Sequence, residues 1–152
     1  MILLIRHAHA IDREEGDIDD EARWLTVKGR RIAGRAGHAL RELGLVPDEI
    51  WTSPLVRAVQ TAELVAQGAG YASAVGALEA LAPGGRVHRS AEMLSSRNGI
   101  VAAVGHEPDI SGLAAVLTGK TTFPAFKKGQ VVVIENGEAV TTLDPDVFAG
   151  HK

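Results

Sequence analysis

Two short apolar runs constrain this chain more than anything else in it: Ile2-Leu3-Leu4-Ile5 and Ile100-Val101-Ala102-Ala103-Val104. Unbroken apolar runs of this length read as strands buried on both faces. Such strands belong to parallel sheets covered by helices. Both runs then end abruptly in reactive side chains. The first delivers Arg6-His7-Ala8-His9, the second Gly105-His106-Glu107-Pro108. In open α/β sheets, ligands bind beyond the carboxyl ends of strands. Arginine there suits an anion with several oxygens, and histidine serves as nucleophile, acid/base or ligand.

Helical patterns fill the space between strands. Thr26 caps a helix running to about Leu43, with Ile32, Ala36, Leu40 and Leu43 as its apolar stripe and Gly44 as its stop. Glu49-Ile50-Trp51-Thr52 is a further strand. Ser53-Pro54 opens the next helix, serine as cap and proline at the first position, burying Leu55, Val59, Ala62 and Ala66. Arg57 lies in its first turn, the end of a helix that already favours anions. Ala74-Val75 reads as a brief strand leading to Leu78-Glu79-Ala80-Leu81. Val87, Ala91 and Leu94 mark a helix that ends at Asn98-Gly99, and another spans 109–117. Residues 131–134 and 139–143, joined by Asn136-Gly137, read as a hairpin at one edge of the sheet or mixed into it antiparallel. The tail from Asp144 is expected to be loosely held. The expected fold is α/β, one three-layer α/β/α sandwich over residues 1–152 with a mostly parallel sheet and a C-terminal hairpin.

Composition removes several functions. The absence of cysteine excludes disulfides, thiolate metal sites and cysteine nucleophiles. No apolar run approaches the roughly 18 residues of a membrane span. The first run is too short for a signal peptide and is interrupted by Arg6, so a soluble, cytoplasmic protein is expected. A net charge of −3 gives no nucleic-acid footprint. Seven acidic residues crowd positions 12–21 in what reads as a long surface loop over 10–25.

With the first and fourth strands as neighbours, His7 and His106 meet, with Arg6 and Arg57 beside them. Two arginines, two histidines and two helix amino termini make an electropositive pocket in an acidic protein. Its natural guest is a phosphoryl group.

These residues resemble a known family. Arg6-His7, the run Ser53-Pro54-Leu55-Val56-Arg57-Ala58-Val59-Gln60-Thr61-Ala62 and Gly105-His106-Glu107-Pro108 are similar to the motifs of the histidine phosphatase (phosphoglycerate-mutase-like) superfamily. Arg6-His7-Ala8, Leu25-Thr26 with Gly29, and Leu78-Glu79-Ala80-Leu81-Ala82-Pro83 look most like the SixA-type phosphohistidine phosphatases. The resemblance spans nearly the whole chain. It implies that His7 attacks phosphorus and carries a covalent phosphoryl group. Arg6, Arg57 and His106 would hold the phosphoryl oxygens, and Glu79 would at most donate a proton. It implies no metal and no other cofactor. Alanine at position 80 departs from the proline often found in that segment.

Elementary chemistry agrees with these roles. An imidazole attacks only when unprotonated, and nearby arginines disfavour the imidazolium. The same arginines neutralise phosphoryl oxygens during in-line transfer. A thin supply of acids favours a phosphorylated imidazole over an alkoxide leaving group, because the ring leaves neutral after protonation. The expected partner is therefore a phosphorylated protein, its phosphohistidine the target. The alternatives are a broad phosphomonoesterase for small phosphorylated metabolites and a non-catalytic phosphohistidine-binding module. So compact a chain has little with which to enclose a mutase substrate. His7 and His9 could form a metal pair, but such pairs need further His and Asp ligands and of the other histidines only His106 is well placed, so His9 is expected at the pocket rim or in solvent. Glu107 is expected at the start of the following helix. The acidic loop, through Asp17, Asp19 and Asp20, is expected to steer selection towards basic or neutral phosphoprotein surfaces.

Overall fold

The structure is a computed structural model that describes residues 1–12 and 18–149. In chain order its elements are β1 (Ile2–Arg6), α1 (Val27–Glu42), β2 (Glu49–Thr52), α2 (Val56–Ala69), β3 (Gly76–Ala77), α3 (Val87–Ser95), β4 (Val101–Gly105), α4 (Asp109–Thr118), β5 (Val131–Glu135), β6 (Glu138–Leu143) and α5 (Pro145–Ala149). The strands form one sheet in the order β3-β2-β4-β1-β5-β6. β1, β2, β3 and β4 are mutually parallel, while β5 runs antiparallel to β1 and β6 antiparallel to β5.

β1 and β4 lie at the centre because their side chains tolerate burial on both faces. Leu3, Leu4 and Ile5 are all fully buried. Burying side chains of this kind is worth about 1.5–3 kcal/mol each. The strand period of two sends Leu3 and Ile5 to a core shared with α1 and α2, and Leu4 to a core shared with α3 and α4. Helices therefore cover both sheet faces, as expected.

At the sheet edge, Asn136 and Gly137 both adopt positive φ, 52° and 75°, as a tight hairpin turn requires. Thr26 caps α1 by accepting from Gly29 N at 3.1 Å. Gly29 is also the seat of α1: a Cβ there would sit 2.0 Å from the carbonyl oxygen of His9. Only glycine lets the helix approach the segment after β1 so closely.

Four expectations are corrected. α2 starts at Val56 with Leu55 as its cap residue, two positions later than the Ser53-Pro54 reading. Its buried face runs through Ala58, Ala62, Val65 and Ala69, and leaves Val59 half-buried. The inward turn of polar Arg57 and Thr61 rotates that face in a way hydrophobicity alone does not reveal. The brief third strand is Gly76–Ala77 rather than Ala74-Val75. The tail carries α5, and Lys127 Nζ reaches Asp144 and Asp146 at 3.2 Å each.

The 10–25 loop is also more ordered than expected at its ends. Ala10 bridges Leu25, and a 3-10 turn forms over Asp20–Ala22. Glu14, Glu15 and Asp17 lie outside the described residues.

Candidate active site

The site forms where β1, β4 and β2 end side by side. His7 N donates to Gly105 O at 3.0 Å and Ser53 N to Val104 O at 2.9 Å, so the ladder continues one residue past each strand. This aligns His7, His106 and Ser53 in neighbouring rows. The rings of His7 and His106 lie 5.1 Å apart, centroid to centroid.

Several backbone clamps fix the nucleophile candidate. Ala8 N donates to Thr61 Oγ1 at 3.0 Å, and Thr61 Oγ1 donates to Arg57 O at 2.8 Å. Leu25 N donates to Gln60 Oε1 at 2.8 Å. The run from Ser53 to Ala62 thus holds both the segment after β1 and the start of α1. His7 Nδ1 lies 2.8 Å from Ala8 O. A carbonyl oxygen only accepts, so Nδ1 carries the hydrogen and Nε2 keeps its lone pair.

Burial above all pushes the His7 pKa down to about 3; the Ala8 carbonyl opposes this, while His106, Arg57 and Arg6 add to it. The arginines therefore act in the expected direction, but desolvation leads. His106 is pushed down to about 4, again first by burial and then by Arg57. Both rings are neutral at pH 7.

Arg6 and Arg57 approach from opposite sheet faces. Arg6 Nη1 donates to Phe126 O at 2.7 Å, and Phe126 N donates to Glu107 Oε2 at 3.2 Å. Glu107 also accepts from Ser111 N at 2.8 Å in the first turn of α4, where its charge was expected. Arg57 Nη1 donates to Asp20 O at 2.8 Å, and its Nη2 lies 3.3 Å from Asp20 Oδ2. Asp20 in turn accepts from Arg23 Nε at 2.9 Å. After these bonds, Arg6 Nε, Arg57 Nε and His106 Nδ1 remain buried with no hydrogen-bond partner. Buried polar nitrogens are rarely left so, and a donor set of this kind suits an oxyanion.

The structure thus brings Arg6, His7, Arg57 and His106 together. Glu79 is exposed on a 3-10 turn. It lines a neighbouring open cavity of about 510 Å³ with Asp20, Glu21, Pro54, Leu55, Ala82 and Pro83. His9 is half-buried with its Nδ1 2.8 Å from Thr26 Oγ1, and lines a separate cavity with Lys28 and Lys127. Among the described residues, no group of three or more His, Asp or Glu is arranged to hold a metal ion.

Sequence reasoning missed two participants. Ser53, read as a helix cap, places its Oγ 2.7 Å from His106 Nε2. Asp20, read as a steering charge, is the partner of Arg57. The loop composition carried no signal for that pairing. The serine did have one, its position directly after a buried strand.

The chain belongs to the histidine phosphatase superfamily, branch 1, matching it over residues 2–82. An uncharacterized protein of Picosynechococcus is 32% identical over 148 residues, covering 91% of this chain and 86% of that protein. The mitochondrial serine/threonine-protein phosphatase Pgam5 of Drosophila grimshawi is 42% identical over 64 residues, 42% of this chain; the match spans only 21% of that protein. The fold matches a structure of the protein histidine phosphatase SixA complexed with tungstate, with a TM-score of 0.86 and 23% identity over 96% of this chain and 97% of that one.

Proposed function

We propose that this chain hydrolyses phosphohistidine on a protein through a covalent phosphoryl intermediate on His7. The observation that carries this is the trio of buried, unpartnered nitrogens on Arg6, Arg57 and His106 around a neutral His7. His7 Nε2 attacks phosphorus, and the bond from phosphorus to the leaving nitrogen breaks as that nitrogen takes a proton from solvent. Water then attacks phosphorus, the bond to His7 breaks, and inorganic phosphate leaves. Arg6, Arg57 and His106 neutralise or hydrogen-bond the phosphoryl oxygens in both steps. No metal or other cofactor enters this scheme.

Two features support a protein substrate. Glu79 is exposed on its turn, and a phosphorylated imidazole, which leaves neutral after protonation, asks less of a proton donor than an alkoxide does. The adjoining cavity is open and roomy enough for a presented side chain. Tungstate, bound in the SixA structure, is an oxyanion like phosphate. A second reading, a broad phosphomonoesterase, draws on Glu79 and Asp20 sharing that cavity and on the phosphatase name of the Pgam5 relatives.

The test is turnover of a phosphohistidine protein and of p-nitrophenyl phosphate, with chelator present. We expect turnover of the first, weak turnover of the second, and loss of both in His7→Ala by at least about a thousandfold. Good ester turnover that collapses in Glu79→Gln would replace this reading with the phosphomonoesterase. Binding of the phosphoprotein without turnover would leave a recognition module.

A further inference from the structure

We infer that Ser53 sets the tautomer of His106, donating its hydroxyl hydrogen to Nε2 so that Nδ1 carries the hydrogen. The geometry leaves one consistent assignment. Ser53 is fully buried, and its Oγ has two neighbours: Leu55 N, donating at 3.2 Å, and His106 Nε2 at 2.7 Å. A backbone N–H only donates, so the serine oxygen accepts from Leu55 and its own hydrogen is free to point at the ring. The opposite arrangement, with hydrogen on Nε2, would leave two buried groups without partners, the hydroxyl hydrogen and the Nδ1 lone pair, where the assigned one leaves only the Nδ1 hydrogen. Stranded buried donors are uncommon because each loses its water without gaining a partner.

The consequence lies at the other ring nitrogen. His106 Nδ1 is buried and makes no hydrogen bond. Bearing a hydrogen, it offers an oxyanion a donor; bearing a lone pair, it would repel one. His106 stays neutral near pH 7, so its donor cannot come from protonation and has to come from the choice of tautomer. Ser53 is therefore a positioning residue acting through His106. That Nδ1 meets a phosphoryl oxygen rests on the proposed function; the tautomer itself does not.

Two readouts keep these separable. NMR of isotope-labelled histidine nitrogens reports which ring nitrogen bears hydrogen, with His106 assigned by the signal lost in His106→Asn. Ser90→Ala serves as the control, because Ser90 Oγ is equally buried, beside His106, without touching its ring nitrogens. The expected result is hydrogen on Nδ1 in the wild type and a shift towards Nε2 in Ser53→Ala. Phosphatase kcat/KM should fall about 10–100-fold in Ser53→Ala, the scale of losing an orienting partner of a functional histidine, and stay unchanged in Ser90→Ala. Hydrogen on Nε2 in the wild type, or an unchanged tautomer in Ser53→Ala, overturns the inference whatever the activity. The expected tautomers in a protein that turns over no phosphoryl compound support the inference and overturn the proposed function instead.

Discussion

The two halves of the site are built differently. Arg6, His7 and His106 are carried on or just past β1 and β4, whose side chains are buried on both faces. Asp20 and Arg23, which hold the outer edge of Arg57, come from a 3-10 turn in a polar connection. The strand-borne half places its groups through ladder bonds that cannot shift without breaking the sheet. The loop-borne half places an arginine through partly exposed ion pairs, which are individually weak. On the proposed reading, the chemistry falls to the rigid half and the tuning of anion affinity to the softer one.

Arg57 joins both halves, so among the residues that would hold the anion rather than attack phosphorus its replacement should have the largest effect. Arg57→Lys keeps the charge but loses the planar fork, Nε included. We expect kcat/KM to fall about hundredfold, the scale of removing one preorganised donor to a transition-state anion. A loss under threefold would mean that charge alone matters and that the fork geometry does not.

The strand-borne half also makes a prediction about stability. His7 and His106 have folded pKa values of about 3 and 4, below the unfolded value near 6.5. Between those limits the unfolded chain binds more protons, so stability rises with pH there and falls on acidification from pH 6.5 towards 4. Each histidine contributes a slope of up to about 1.4 kcal/mol per pH unit. Urea unfolding from pH 7 to 4 should show this, with a shallower dependence in His106→Asn. A flat wild-type profile would refute the burial of two neutral rings.

The smallest effect belongs to the loop. Asp20→Asn removes the carboxylate charge beside Arg57 but keeps the 2.8 Å bond from Arg57 to the Asp20 carbonyl. Inhibition by inorganic phosphate should tighten by about threefold, as expected for removing one partly screened surface charge. Weaker inhibition would instead make the carboxylate a necessary support for Arg57.

Much of this was legible because apolar runs and helical periods report burial directly. Both central strands, the capping of α1 by Thr26 and the hairpin turn at Asn136-Gly137 follow from local physics. The misread start of α2 has the opposite origin. Ser53-Pro54 carries a local capping signal, but the ladder extends to Ser53 and its hydroxyl is drawn to His106, so tertiary contacts override the cap. The face of α2 rotated for the same reason, with Arg57 and Thr61 turned inward to serve the residues after β1.

The sequence by itself determined the strand-and-helix order, the family, and the four polar residues delivered at element ends, because each depends on side-chain character along a short stretch. Only the tertiary structure decided that Asp20 meets Arg57 and that Ser53 meets His106. Those pairs are separated by 37 and 53 positions in the chain. A contact across such a separation depends on how the sheet orders its strands and where a polar loop lands, and neither is written in local composition.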